Sequence, residues 1–345
     1  MIKKKLGILG GGQLGMFICQ AARNFGIYTT VFSTTKDFSA KDFCDNYIVG
    51  KFNDYKKIQE FIKSSSHFTV ETENIPIDLL EKINNKKKIF PSSEVIKIAQ
   101  NRLREKKFLN SIPGVKTVKF SSINSYDDLC SKLKQFKFKA IIKSCELGYD
   151  GKNQFIVNKN NIYSFEKMNL NNFIIEEFID FEKEVSVIVS KAEKNIISYP
   201  PVENLHKDSI LKETKYPADL NNKLIQSSLE IANKIANEID LNGVLAVEMF
   251  LLKNDDILVN EIAPRPHNSG HWTMDACKYS QYDNLIFSIF EPFVKEPLPQ
   301  KSCKMINLIG KDFNNFDNLK KKYKCYDYFK NEIRPKRKMG HYVIF

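Results

Sequence analysis

Apolar positions along the chain alternate between two periods. Leu6-Gly7-Ile8-Leu9, Ile27 to Phe32, Tyr47-Ile48-Val49 and Phe68-Thr69-Val70 are short apolar runs that predict buried strands. Helical stretches, Met16 to Phe25 and Tyr55 to Ser64, lie between them, and Gly26 stands where a helix cap belongs. Strands alternating with helices predict a parallel sheet with ligands at the strand C-termini. Pro91-Ser92-Ser93-Glu94 opens a predicted helix from Ser93 to Ser111, which ends before Pro113-Gly114. Strands follow at Ala140 to Lys143 and Phe173 to Ile179, then a helix from Leu220 to Ile239 with one broad apolar face. Val244 to Ala263 reads as a hairpin turning at Asn254-Asp255-Asp256. With Asn254-Asp255 as a two-residue loop, Lys253 faces Asp256 and Glu248 falls directly opposite Glu261.

A chain of 345 residues can bury a large core and divide into two or three domains. Its 42% apolar and 27% charged residues are ordinary for a water-soluble protein. The opening MIKKKLGILGGG is broken by glycines too soon for a signal peptide or membrane span, so no membrane partner is expected. Seven scattered cysteines, none in a C-x-x-C pair, argue against disulfides and zinc and for the reducing cytoplasm. Net charge is +12, but the lysines are spread along the whole chain. That predicts attraction for anionic substrates and excludes a dedicated nucleic-acid surface.

Candidate chemistry concentrates in four places. Glu248 and Glu261 would repel across a ladder unless they point into water or share a cation, and Mg²⁺ held against nucleotide phosphates is one such arrangement. Just beyond, Ala263-Pro264-Arg265-Pro266 stops the strand, and His267, Asn268, Ser269 and His271 crowd one loop. Near the N-terminus, Gly10, Gly12 and Gly15 satisfy G-x-G-x-x-G, and the helix after them is expected to offer free N–H groups to an anion. A dinucleotide site wants an acid at the end of the second strand, yet Ser33-Thr34-Thr35 stands there, with no carboxylate until Asp37. Lys143, at a strand end, precedes Gly148-Tyr149-Asp150-Gly151-Lys152-Asn153-Gln154, which suits phosphate held under a mobile cover. The basic ending, Lys330 to His341, reads by itself as a solvated tail.

Asn260 to Trp272, NEIAPRPHNSGHW, closely resembles a signature of the N5-carboxyaminoimidazole ribonucleotide synthetases, members of the ATP-grasp superfamily. GGGQLG, ETENIP, the GYDGKNQ loop and RPKRKMGH resemble further family segments. The resemblance implies an α/β ATP-grasp fold. Its parts would be an N-terminal Rossmann-like parallel-sheet domain (1–97), a small lid subdomain (98–178), a large subdomain (179–300) and a C-terminal lobe (301–345). Family members continue past the position of Phe345, so that lobe is expected to be a shortened one. The implied activity is ATP- and bicarbonate-dependent carboxylation of 5-aminoimidazole ribonucleotide through carboxyphosphate, in purine biosynthesis.

The same resemblance assigns roles. Arg102 and Lys143 would meet the phosphates of ATP, with Gly148, Tyr149, Asp150, Gly151, Lys152, Asn153 and Gln154 as the covering loop. The connector Glu176, Glu177, Phe178 and Ile179 would meet adenine, Glu184 would take the ribose hydroxyls, and His206 would lie near the nucleotide. Asn260 and Glu261 would also touch ATP, and Glu248 with Glu261 would hold Mg²⁺. Arg265, His267 and Asn268 would cradle bicarbonate or carboxyphosphate as the catalytic group. Gly12, Gln13, Leu14, Glu73, Tyr149, Lys152, Lys330 and Arg337 would hold the ribonucleotide, and a homodimer is expected. Three departures stand out: Asn153 and Lys336 replace glycines, and Cys145-Glu146-Leu147 lacks the usual arginine and glycine. A formate-using glycinamide ribonucleotide transformylase would share the nucleotide clamp.

Overall fold

The computed structural model describes residues 4–146 and 153–345. The expectations placed on Gly148, Tyr149, Asp150, Gly151 and Lys152 lie outside the described residues. The first layer is a parallel sheet built from β1 (Lys5–Leu9), α1 (Gln13–Asn24), β2 (Tyr28–Ser33), β3 (Asn46–Val49), α2 (Tyr55–Ser64), β4 (His67–Val70), α3 (Ile77–Asn84) and β5 (Lys88–Phe90), in strand order β3-β2-β1-β4-β5. α1 buries Leu14, Phe17, Ile18 and Ala21, the spacing of one helical face, and Gly26 leaves it at φ 68°.

The predicted helix from Ser93 to Ser111 is two helices, α4 (Ser93–Ala99) and α5 (Arg102–Ser111). The break falls at Asn101, whose side-chain oxygen accepts from the Arg104 amide at 3.1 Å. Asparagine competes for backbone groups inside a helix and caps one well, so a new helix starts here. The consequence is functional. Arg102 begins α5, and its amide donates to the Cys145 carbonyl at 2.9 Å, tying the helix to the strand that carries Lys143.

Next comes a small antiparallel sheet: β6 (Phe120–Ile123), α6 (Tyr126–Gln135), β7 (Lys139–Ser144), β8 (Gln154–Asn158) and β9 (Phe173–Glu177), ordered β6-β9-β7-β8. Leu129 and Leu133 of α6 pack on Ile142 and Ile175 to close its core. The remaining chain builds one large sheet. Its elements are β10 (Lys183–Lys191), β11 (Ile196–Ser198), β12 (Val202–Lys207), β13 (Ile210–Tyr216), α7 (Asn222–Glu238), β14 (Gly243–Leu251) and β15 (Ile257–Ala263). They continue through α8 (Thr273–Ala276), α9 (Gln281–Phe290), β16 (Cys303–Ile309), α10 (Phe316–Lys320), β17 (Lys324–Asp327) and β18 (Lys338–Ile344). The strand order is β15-β14-β10-β12-β13-β16-β18-β17, with β11 beside β10, so the C-terminal strands extend the same sheet. One apolar core joins Phe17 and Ile18 of α1 to Tyr282, Tyr328 and Val343, welding the first layer to the large sheet.

The β14–β15 hairpin pairs Glu248 with Glu261, but not by the expected route. The loop is longer than two residues: the Leu252 amide donates to the Asp256 carbonyl at 2.9 Å, and Asp255 sits at φ 64°. That longer turn shifts the ladder by one, giving Met249 opposite Val259. A β-bulge then inserts Asn260 and restores the Glu248–Glu261 register. Two offsets of opposite sign cancel.

Candidate active site

Between the first layer, the small sheet and the large sheet lies a cleft of about 1170 Å³. Every candidate residue among the described ones lines it except Asn153, which is exposed. Asn153 adopts φ 53°, a left-handed angle that asparagine accepts, and its carbonyl accepts from the Ser144 amide at 3.1 Å. Lys336, the other residue standing in for a glycine, sits at φ 62° on the cleft wall.

The two hairpin carboxylates each have a cationic or hydrogen-bonding partner. Glu248 accepts from His267, whose Nε2 lies 3.0 Å from Oε1. Burial pushes the Glu248 carboxyl up, but the adjoining His267 outweighs it and holds the pKa at about 2. Glu261 accepts from Arg102 Nη1 at 2.6 Å. Beside them, the bulge residue Asn260 carries a buried side-chain oxygen with no hydrogen-bond partner. Oxygen donors of this kind fit a hard divalent cation. No group of three or more His, Cys, Asp or Glu is gathered as a metal cluster among the described residues. Two carboxylates completed by phosphate oxygens and water are how Mg²⁺ is usually held, so the donor set fits that ion.

Lys143 does not stand free at its strand end. Its Nζ lies 2.5 Å from Glu176 Oε2, and Lys106 Nζ lies 3.3 Å from Oε1 of the same carboxylate. Burial opposes the charge on Glu176, but Lys106 and then Lys143 outweigh it and hold its pKa at about 2. Glu105, next along α5, accepts from the Ile262 amide at 2.7 Å. Burial and the nearby Glu261 push its pKa up to about 8. Glu184 and His206, facing each other from β10 and β12, share a hydrogen bond.

The glycine-rich turn carries a correction. Two of its amides already serve the chain's own carboxylate and not a ligand: Gly12 N donates to Glu71 Oε1 at 2.6 Å and Gly15 N to Oε2 at 2.8 Å. A Cβ at Gly10 would stand 2.3 Å from Glu71 Cγ, so glycine is needed here for the chain's own carboxylate. Gly12, Gln13 and Leu14 still line the cleft. Glu73, two residues on, holds Arg265 in a fork, Nε to Oε2 at 2.5 Å and Nη2 to Oε1 at 3.2 Å. Asn268 is fixed by paired amide bonds with Asn307, at 3.1 and 2.5 Å, and by Tyr328, itself bonded to His341. From the C-terminal segment, Lys330 donates to the Lys338 carbonyl at 2.7 Å and Arg337 to the Glu332 carbonyl at 3.1 Å, on the cleft wall rather than in a loose tail.

Glu71, Glu105, Lys106 and Asn307 were not among the residues expected from sequence. A signal for two of them exists: Arg102, Glu105, Lys106 and Leu109 share one face of α5, and that face is the buried one. Glu71 and Asn307 depend on contacts 56 and 39 residues away, which no local pattern reveals.

A small antiparallel sheet and a large one closing on a cleft lined by paired acids and cations define an ATP-grasp protein. Consistent with this, the ATP-grasp domain profile matches residues 109–282 and the ribonucleotide synthetase preATP-grasp domain matches residues 3–100. The phosphoribosylaminoimidazole carboxylase C-terminal domain matches residues 303–345. The chain belongs to the N5-carboxyaminoimidazole ribonucleotide synthase family. It is 36% identical to the synthase of Bacillus subtilis (strain 168), over 97% of this chain and 90% of the relative. To the Brucella melitensis synthase it is 33% identical, over 97% of this chain and 94% of the relative. A crystal structure of an N5-carboxyaminoimidazole ribonucleotide synthetase in complex with ADP superposes with TM-score 0.95 at 32% identity, covering 100% of this chain and 94% of that one. The Aspergillus clavatus synthase in complex with ADP and 5-aminoimidazole ribonucleotide gives TM-score 0.91 at 29% identity, covering 99% and 93%.

Proposed function

We propose that the protein carboxylates the exocyclic amine of 5-aminoimidazole ribonucleotide, using ATP and bicarbonate and releasing ADP and phosphate, in purine biosynthesis. The observation that carries this reading is the convergence on one cleft of Glu248, Glu261, Arg102 and Lys143 with the Arg265 loop and the basic segment Lys330–Lys338. ATP lies along the connector Glu176–Ile179, with its ribose toward Glu184 and His206 and its phosphates toward Arg102 and Lys143. Mg²⁺, held by Glu248 and Glu261, would neutralise charge on the transferring phosphoryl group.

A bicarbonate oxygen attacks the γ-phosphorus, the bond to the bridging oxygen breaks, and ADP leaves with carboxyphosphate formed. The amine then takes the carboxyl group, directly or as CO₂, and phosphate is released. Little covalent work falls to the protein, which aligns the reactants and offsets charge. The Glu73-held guanidinium of Arg265 and the Asn307-held amide of Asn268 suit three planar oxygens. Gly12, Gln13, Leu14, Glu73, Lys330 and Arg337 hold the ribonucleotide on the opposite side. The seven free thiols suit a reducing compartment, and no described helix is long and apolar enough to cross a membrane. A homodimer is part of the same proposal, and light scattering on the purified protein tests it.

The test is isotopic. With ¹³C-bicarbonate, ATP and the aminoimidazole ribonucleotide, label should enter a carboxyamino product together with ADP in equal amount. ADP formed with formate in place of bicarbonate would instead favour a transformylase.

A further inference from the structure

Lys106 is completely buried, a rare state for lysine, and the reaction as derived gives it nothing to do. It reaches two groups at once. Its ammonium donates to the Asn260 carbonyl at 2.8 Å and faces Glu176 Oε1 at 3.3 Å, while Lys143 takes Glu176 Oε2 at 2.5 Å. The carboxylate of Glu176 is itself only 2% exposed. If Lys143 were its sole partner, turning Lys143 toward a phosphate would strand a buried negative charge, an expensive state. With two cations on separate oxygens the cluster carries one surplus positive charge. Lys143 can then leave while Lys106 remains, anchored by the Asn260 carbonyl. Arg102 acts on Glu176 from farther away and is itself engaged by Glu261.

We propose that Lys106 is a positioning residue for the nucleotide step: it is the counter-ion that stays with Glu176 and so makes Lys143 available to ATP. The inference rests on the reading above, in which Lys143 meets the phosphates. Lys106→Met removes the second cation, so Glu176 grips Lys143 harder. ATP dissociation constants, measured by calorimetry, should rise by roughly tenfold or more, with the KM for the ribonucleotide nearly unchanged. Adding Glu176→Gln to Lys106→Met should bring ATP affinity back toward wild type, because the carboxylate that sequesters Lys143 is gone. Removing the stranded carboxylate would restore the melting midpoint for a purely structural lysine as well, so the deciding readout is ATP affinity measured on folded protein, with the ribonucleotide KM as the control. Wild-type ATP affinity in Lys106→Met, or no recovery in the double variant, overturns the proposal. If Lys106→Met does not fold, Glu176→Gln is compared with the double variant: equal ATP affinities support the proposal, and a further loss overturns it. Lys143→Met separates the two levels. If it leaves ATP affinity unchanged the underlying reading fails, whereas if it weakens ATP and Lys106→Met does not, only this inference fails.

Discussion

Glu248 and Glu261 face each other at one register position of adjacent strands, and each is held from a different side, Glu248 by His267 and Glu261 by Arg102. The cleft therefore compensates its own charges before any ligand arrives. Under the proposed reading, Mg·ATP would enter by exchange, the phosphates taking Arg102 and the ion taking the two carboxylates. Glu261→Ala should abolish ATP turnover. Its side chain is about one-third exposed, so the fold should survive, with a melting shift of only about 2–4 °C. Unchanged ADP release from the variant would remove Glu261 from the metal and ATP site.

Two buried carboxylates of the cleft, Glu176 and Glu105, should give opposite pH signatures. Glu176 is held at about 2, below its ordinary 4.5, so its stabilisation is present above pH 4.5 and lost as pH falls through 2. The difference is worth on the order of a few kcal/mol. Glu105 is raised to about 8, so the folded state binds a proton that the unfolded state releases, and stability falls as pH rises from 4.5 to 8. Glu105→Gln keeps an oxygen for the Ile262 amide and removes that penalty. Urea titrations at pH 5 and pH 9 should show the wild type losing roughly 3–5 kcal/mol relative to the variant. Parallel curves would contradict the buried, proton-binding role of Glu105.

Lys330 and Arg337 should act on one substrate only. Replacing both with alanine removes the basic wall of the cleft farthest in sequence from the nucleotide connector. The ribonucleotide KM should rise by roughly a hundredfold or more while that of ATP changes little, since losing charge-assisted hydrogen bonds costs about 1.5–3 kcal/mol each. Equal effects on both substrates would count against this placement.

Gly10→Ala tests the packing behind the glycine-rich turn. Gly10 sits at φ 102°, and a Cβ there would stand 2.3 Å from Glu71. Strain at such an angle costs about 1–3 kcal/mol before the clash is added. The melting midpoint should drop by several degrees, and the ribonucleotide KM should rise as Gly12 and Gln13 shift. A neutral substitution would mean that Glu71 can move aside.

Much of this was legible in the sequence because it is local. Strand–helix alternation gave the first sheet, and α2 fell on its expected residues, Tyr55 to Ser64. The signature Asn260–Trp272 carried the family. What stayed hidden was the product of distant contacts and competing local choices. Asn101 could continue a helix or cap a new one, and only the pull of the Cys145 carbonyl on Arg102 makes the second choice evident. The hairpin pairing was read correctly through a turn one residue too short, because the Asn260 bulge offset it. Glu71 filling the glycine turn could not be foreseen from a pattern that usually awaits a phosphate.

The most direct measurement is steady-state ADP release by the wild-type protein, with and without the aminoimidazole ribonucleotide and bicarbonate. Rapid release only when both are present, with one carboxylated ribonucleotide formed per ADP, is the expected result. ADP release indifferent to bicarbonate, or absent under all conditions, would contradict the assignment of this cleft to carboxyphosphate chemistry.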